Sequence, residues 1–90
     1  MKKKIIHELH DMESSYNFFY ETNQEVTLSN CKGSAKYYGM RVIDYMFQNL
    51  KTNFPNKINE IIVNTDDSYS AFITAKQLGY TNILYKNHLK

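Results

Sequence analysis

Ile58-Asn59-Glu60-Ile61-Ile62-Val63, followed by Asn64-Thr65-Asp66-Asp67-Ser68 and then by Ala71, Phe72, Ala75 and Leu78, decides how this chain is read. The first six residues are a short β-branched run of the kind that forms a buried strand. The polar stretch after it offers several N-cap residues and acidic groups for the positive end of a helix. The apolar residues that follow recur at helical spacing, and Gly79 stands where a left-handed C-terminal cap belongs. Thr81 to Tyr85 then reads as a final strand. Residues 58–85 therefore predict a strand–helix–strand unit whose crossover suits parallel or neighbouring strands.

Working upstream, Ile43, Met46, Phe47, Leu50 and Phe54 recur at spacings of three and four, one face of a helix. Pro55 disfavours helical geometry at Phe54, so that helix should end near Thr52. Residues 31–36 (Cys-Lys-Gly-Ser-Ala-Lys) read as a small-residue loop opening it. Further back, Tyr16, Phe18 and Tyr20 alternate, as do Val26 and Leu28, with polar Glu21-Thr22-Asn23-Gln24 between them. That pattern predicts a β-hairpin over residues 16–30. Residues 4–11 fit either period and are read as a further strand. The expected order is β-β-β-α-β-α-β: an α/β fold with a mixed β-sheet and two helices, one domain over residues 1–90.

Composition bounds the function. Ninety residues with 42% hydrophobic and 14% aromatic content hold a single core, which excludes wholesale disorder. One cysteine excludes an intramolecular disulfide framework and fits a reducing compartment. No apolar run reaches the length of a membrane span, and Lys2-Lys3-Lys4 lacks the apolar stretch of a signal peptide, so the expectation is a cytoplasmic protein without a membrane partner. A net charge of +2 does not by itself announce nucleic acid.

Two segments carry a family likeness. Lys36-Tyr37-Tyr38-Gly39-Met40-Arg41 matches the pattern Arg/Gln-x-x-Gly-x-Gly/Ala at its middle glycine, with Lys in the first place and Arg in the last. Ser68-Tyr69-Ser70-Ala71-Phe72-Ile73-Thr74-Ala75-Lys76-Gln77-Leu78-Gly79-Tyr80 matches Asn-x-x-Ala-x-x-x-Tyr-x-x-Leu-Gly-Phe at Ala71, Leu78 and Gly79, with aromatic Tyr80 in the last place. In both, the chain resembles a minimal, degenerate member of the GCN5-related N-acetyltransferase (GNAT) superfamily. The resemblance implies an acetyl-coenzyme A (acetyl-CoA) site on Lys36, Tyr37, Tyr38, Gly39, Met40, Arg41 and Ser68, and transfer of an acetyl group to an amine. It implies a general base near Glu25 and a thioester in the cleft between the third and fourth expected strands. Ala75 stands where the family often has its general-acid Tyr, so the enzyme reading is of a transferase without that acid.

The physics of the first segment is sound by itself, because N–H groups freed at a helix start hold pyrophosphate. The same residues also serve simply to turn the chain into a helix. A second reading is therefore a non-catalytic binding module for a protein or nucleic acid partner, with Lys2–Lys4, Lys32, Lys36, Arg41, Tyr37 and Tyr38 as its basic and aromatic residues. An exposed sheet edge would make a homodimer plausible. His7, His10, Cys31 and His88 lack metal-ligand spacing, and solvated histidines are the simpler reading. Asp66 and Asp67 follow a buried strand where phosphate enzymes place carboxylates, but helix capping also explains them.

Overall fold

The computed structural model describes residues 5–86. Strand β1 (Ile6–Leu9) leads to helix α1 (Met12–Glu21) and strand β2 (Val26–Asn30). A short helix α2 (Ser34–Tyr38) abuts the longer α3 (Met40–Asn53), and strand β3 (Ile58–Asn64), helix α4 (Tyr69–Gln77) and strand β4 (Ile83–Leu84) complete the fold. The sheet runs β1-β2-β3-β4, and every neighbouring pair is parallel.

The α/β class holds, and the mixed sheet does not. The expected hairpin over 16–30 is α1 followed by β2. Its physical cause is the neighbouring cap and a second period in the same residues. Asp11 accepts from the Ser14 N–H at 2.7 Å and from its hydroxyl, which starts a helix at Met12 and holds the Asp11 carboxyl below its ordinary pKa. Ser15 and Phe19 are then buried one turn apart, with Met12 and Tyr16 packed beside them. Tyr20, part of the apparent alternation, is 70% exposed. With α1 in place, a parallel crossover joins β1 to β2, and neither the meander nor the order β-β-β-α-β-α-β forms. Among the described residues there are four helices rather than two: α1 is one addition, and α2, into which part of the expected loop at 31–36 coils, is the other.

The C-terminal half follows the sequence closely. On α3 the buried residues are Met40, Ile43, Phe47 and Leu50, spaced three, four and three apart. The helix ends at Asn53, just before Phe54-Pro55. β3 occupies the β-branched run, and Ser68 caps α4 by accepting from the Ala71 N–H at 3.2 Å. Only β4 is shorter than expected, with two residues against β3's seven.

In a parallel sheet in sequential order, crossovers of the right hand that such connections follow put all the helices on one face. Packing agrees: α3 touches both α1 and α4, and the Tyr16 hydroxyl on α1 donates to Asn49 on α3. The core lies between this helical layer and the sheet, with Phe19, Phe47, Leu9, Leu28, Ile43, Leu50, Val26 and Val63 fully enclosed. Among the described residues, no helix is long and apolar enough to cross a membrane.

Candidate functional site

Residues 36–41 lie at the joint between α2 and α3, and they do not sit in a strand-to-helix loop. Gly39, at φ +90°, ends α2 with its N–H on the Ala35 carbonyl and starts α3 by accepting from Ile43 N–H. No L side chain adopts that φ comfortably, which is why a glycine occupies the joint. Met40 is buried in the core and is withheld from any ligand. Tyr37 is 82% exposed, and Lys36, Tyr38 and Arg41 are also exposed. Tyr37 and Tyr38 pack edge to face at 4.8 Å between ring centroids. Along α3, Arg41 and Tyr45 are four apart, and Val42 and Tyr45 three apart, so their side chains are neighbours. These exposed side chains of α2 and the first turns of α3, on the side of α3 away from its buried face, make up an aromatic and basic shoulder.

Of the other expected site residues, Ser68 lies near this shoulder and Glu25 does not. Lys36 Nζ is 3.7 Å from Asp67 Oδ1, beside the Ser68 cap, at the C-terminal end of the sheet. Glu25 is exposed just before β2, and in an all-parallel sheet that is the opposite end. Strands β2 and β3 pair from Val26–Ile58 to Ser29–Ile62 with one bulge, so the expected cleft between them is closed.

The strand ends are instead joined by a polar clasp. Asn30, buried, donates from Nδ2 to the Asn64 carbonyl and to Ser34 Oγ, each at 2.8 Å, and its Oδ1 accepts from the Asn64 N–H at 2.7 Å. Asp66, at φ +52°, accepts from the Gly33 N–H at 2.7 Å. Asp66 thus ties the β2–α2 loop to the β3–α4 loop, and Ser68 does the capping. His7 is also structural: it stacks on Phe18, with ring centroids 4.3 Å apart, and its Nε2 lies 2.8 Å from Ser15 Oγ. Burial, then nearby His10, lowers its pKa. His10 meets Glu8 at 3.0 Å on the surface. Among the described residues no group of His, Cys, Asp and Glu is arranged to hold a metal. His88 and Lys2–Lys4 lie outside the described residues.

Sequence reasoning missed a cavity of about 370 Å³ between β3 and the segment leading into β4. Ile58–Ile61 form one wall and Leu78–Asn82 the other, with Gln48 and Lys51 from α3 beside them. Tyr80 closes one side: its hydroxyl donates to Asp44 Oδ1 at 2.5 Å, and Gln48 Nε2 donates to it at 3.3 Å. Burial and that carboxylate push the Tyr80 phenol well above its ordinary pKa. The missing signal was the length of β4, which Thr81–Tyr85 overstates.

An uncharacterized protein of Rickettsia prowazekii (strain Madrid E) is 41% identical to this chain over 80 residues, covering 89% of the chain and 76% of the relative. The chain belongs to that protein's family. No protein-family model and no solved structure matches it.

Proposed function

We propose that this chain is a non-catalytic binding module that grips a protein partner through the α2–α3 shoulder. The observation supporting this is exposed aromatic surface: Tyr37 is 82% and Tyr45 71% exposed, and Tyr38 and Val42 are also open. The core is closed by Met40, Ile43, Phe47 and Leu50 on the opposite side of α3, so packing does not require these rings. Tyr and Arg are the residues that concentrate binding energy at protein interfaces. Arg41 has no ion pair among the described residues, which suits a partner presenting a carboxylate beside an apolar surface. The small net charge and apolar Val42 favour protein over nucleic acid.

A second reading keeps acetyl-coenzyme A. Its support is the fourteen-residue α3, which begins beside Lys36 and Arg41, with open space next to Gly39. The distance of Glu25 from that end leaves this reading as cofactor binding, with water as the proton acceptor if an amine is acetylated.

Affinity capture from the native host with the wild-type chain and a Tyr37→Ser/Tyr45→Ser variant separates the two readings. A captured protein is then purified and titrated against both chains. The binding-module reading expects the variant to weaken that complex at least about tenfold, or 1.4 kcal/mol. Equal affinity for both chains, or heat from acetyl-coenzyme A that disappears in Lys36→Glu/Arg41→Glu, would move the function to the second reading or elsewhere.

A further inference from the structure

The cavity beside β3 differs from the shoulder in kind, because one of its walls is an open strand edge. β4 pairs with β3 only at Val63–Ile83 and Asn64–Leu84, so the first part of β3 has no strand beside it on that side. The Val63 N–H donates to the Asn82 carbonyl and the Thr65 N–H to the Leu84 carbonyl, which shows the side to which odd-numbered residues of β3 turn their main chain. Strand alternation gives Ile61 the same direction as Val63. The N–H and C=O of Ile61 therefore face the cavity, and neither has a backbone partner among the described residues.

The opposite wall does not fill that role. From Leu78 to Thr81 the chain is busy ending α4: the Gly79 N–H bonds the Lys76 carbonyl and the Tyr80 N–H bonds the Ala75 carbonyl. Gly79, at φ +97°, makes the turn out of α4. It rejoins the sheet only at Asn82, whose side chain donates to Glu60 and closes that end. At the other end stand Gln48 and Lys51, both exposed on α3, and Lys51 has no ion pair among the described residues. The volume is at the small end of ligand sites, and the lining is mostly polar.

We propose that this cavity binds a short extended peptide segment of a partner by strand addition to β3, with the Ile61 N–H and C=O supplying the main-chain pair and Lys51 receiving an acidic side chain. A main-chain ligand is favoured over a generic small molecule because the unfilled groups are a donor and an acceptor of one residue, spaced as a neighbouring strand requires. Pairing stops at Val63, where β4 begins, so the bound segment is only a few residues long. An acidic residue is favoured because Lys51 is the one cation of the lining, and the lining carboxylate, Glu60, is engaged by Asn82. The site stands apart from the shoulder and does not depend on the function proposed for it.

The test uses the full chain, isotopically labelled, and a capped pentapeptide, acetyl-Val-Thr-Val-Thr-Asp-amide, read by nuclear magnetic resonance. The expected result is a saturable shift of the Ile61 amide and at least tenfold slower hydrogen exchange there. Methylating the peptide's central nitrogen should abolish both. Lys51→Glu should weaken the Asp peptide about tenfold and favour a Lys-ended one, a charge swap that loss of folding cannot imitate. The proposal is overturned by no saturable shift up to about 1 mM peptide. Undiminished binding of the methylated peptide, or shifts confined to Tyr37, Tyr38 and Tyr45, would overturn it equally.

Discussion

The side-chain amide of Asn30 hydrogen-bonds both main-chain groups of Asn64, donating to its carbonyl at 2.8 Å and accepting from its N–H at 2.7 Å. β2 ends at Asn30 while β3 continues to Asn64, so a side chain completes the ladder where the backbone has left it. The same amide holds Ser34 at the start of α2, and so helps place the shoulder.

Asn30→Ala removes these bonds and leaves the part-buried main-chain groups of Asn64 without this partner. A loss of about 1–3 kcal/mol is expected, since several hydrogen bonds go at about 0.5–1.5 kcal/mol each and water reaches the freed groups only in part. Urea unfolding should show the midpoint fall with an unchanged slope. Asn30→Asp, which keeps the acceptor and loses the donors, should also destabilise.

Phe47 is fully enclosed at the centre of α3's buried face, so Phe47→Ala should cost about 3–5 kcal/mol. In a domain this small that approaches the whole stability, and thermal melting should show a broad or absent transition. Tyr37→Ser and Tyr45→Ser, on the exposed side, should each change stability by less than about 0.5 kcal/mol. The contrast separates the residues that hold the fold from those offered to a partner.

Gly39→Ala tests the joint between the two helices. At φ +90° and ψ 144° a β-carbon meets no neighbouring atom, so the penalty is backbone strain alone, about 1–3 kcal/mol. The same strain would accompany any larger side chain at Gly39, so a substitution there cannot separate ligand binding from stability. Charge reversal at Lys36 and Arg41 is the cleaner probe of any phosphate contact.

His7 gives the pH dependence. Its folded-state pKa is lowered, first by burial and then by His10, with Glu8 opposing. The unfolded chain therefore binds more protons as pH falls through the ordinary histidine value of about 6.5. The stability contribution is fully present above that pH and is lost below it. Unfolding midpoints measured from pH 8 to 5 should fall on the acid side, and His7→Gln should flatten that fall.

The residues from Ile43 to Gly79 were legible because each helix carried one period and its own stop signal: Pro55 after α3, Gly79 after α4. Helix α1 was not, because Tyr16, Phe18 and Tyr20 alternate while Met12, Ser15 and Phe19 recur helically, and a buried Ser15 carries no hydrophobic signal. Only the Asp11–Ser14 cap distinguishes the two, and misreading it put an antiparallel strand where the crossover helix lies. The shoulder residues were legible as a group in Lys36-Tyr37-Tyr38-Gly39-Met40-Arg41. That Met40 points inward while its neighbours point outward depends on how α3 sits on the sheet, and Tyr45 was hidden inside a helix read for its buried face. The cavity was illegible because it exists only where β4 fails to pair.

The direct test of the shoulder is a photo-crosslinking aromatic residue placed singly at positions 37, 45 and 20 in the full chain, expressed in the native host. Tyr20 is as open as Tyr45, at 70% against 71%, but lies on α1, away from the shoulder. The binding-module reading predicts adducts to one protein from 37 and 45 and none to it from 20. Equal labelling from all three positions, adducts to nucleic acid, or no adduct from 37 and 45 would contradict it.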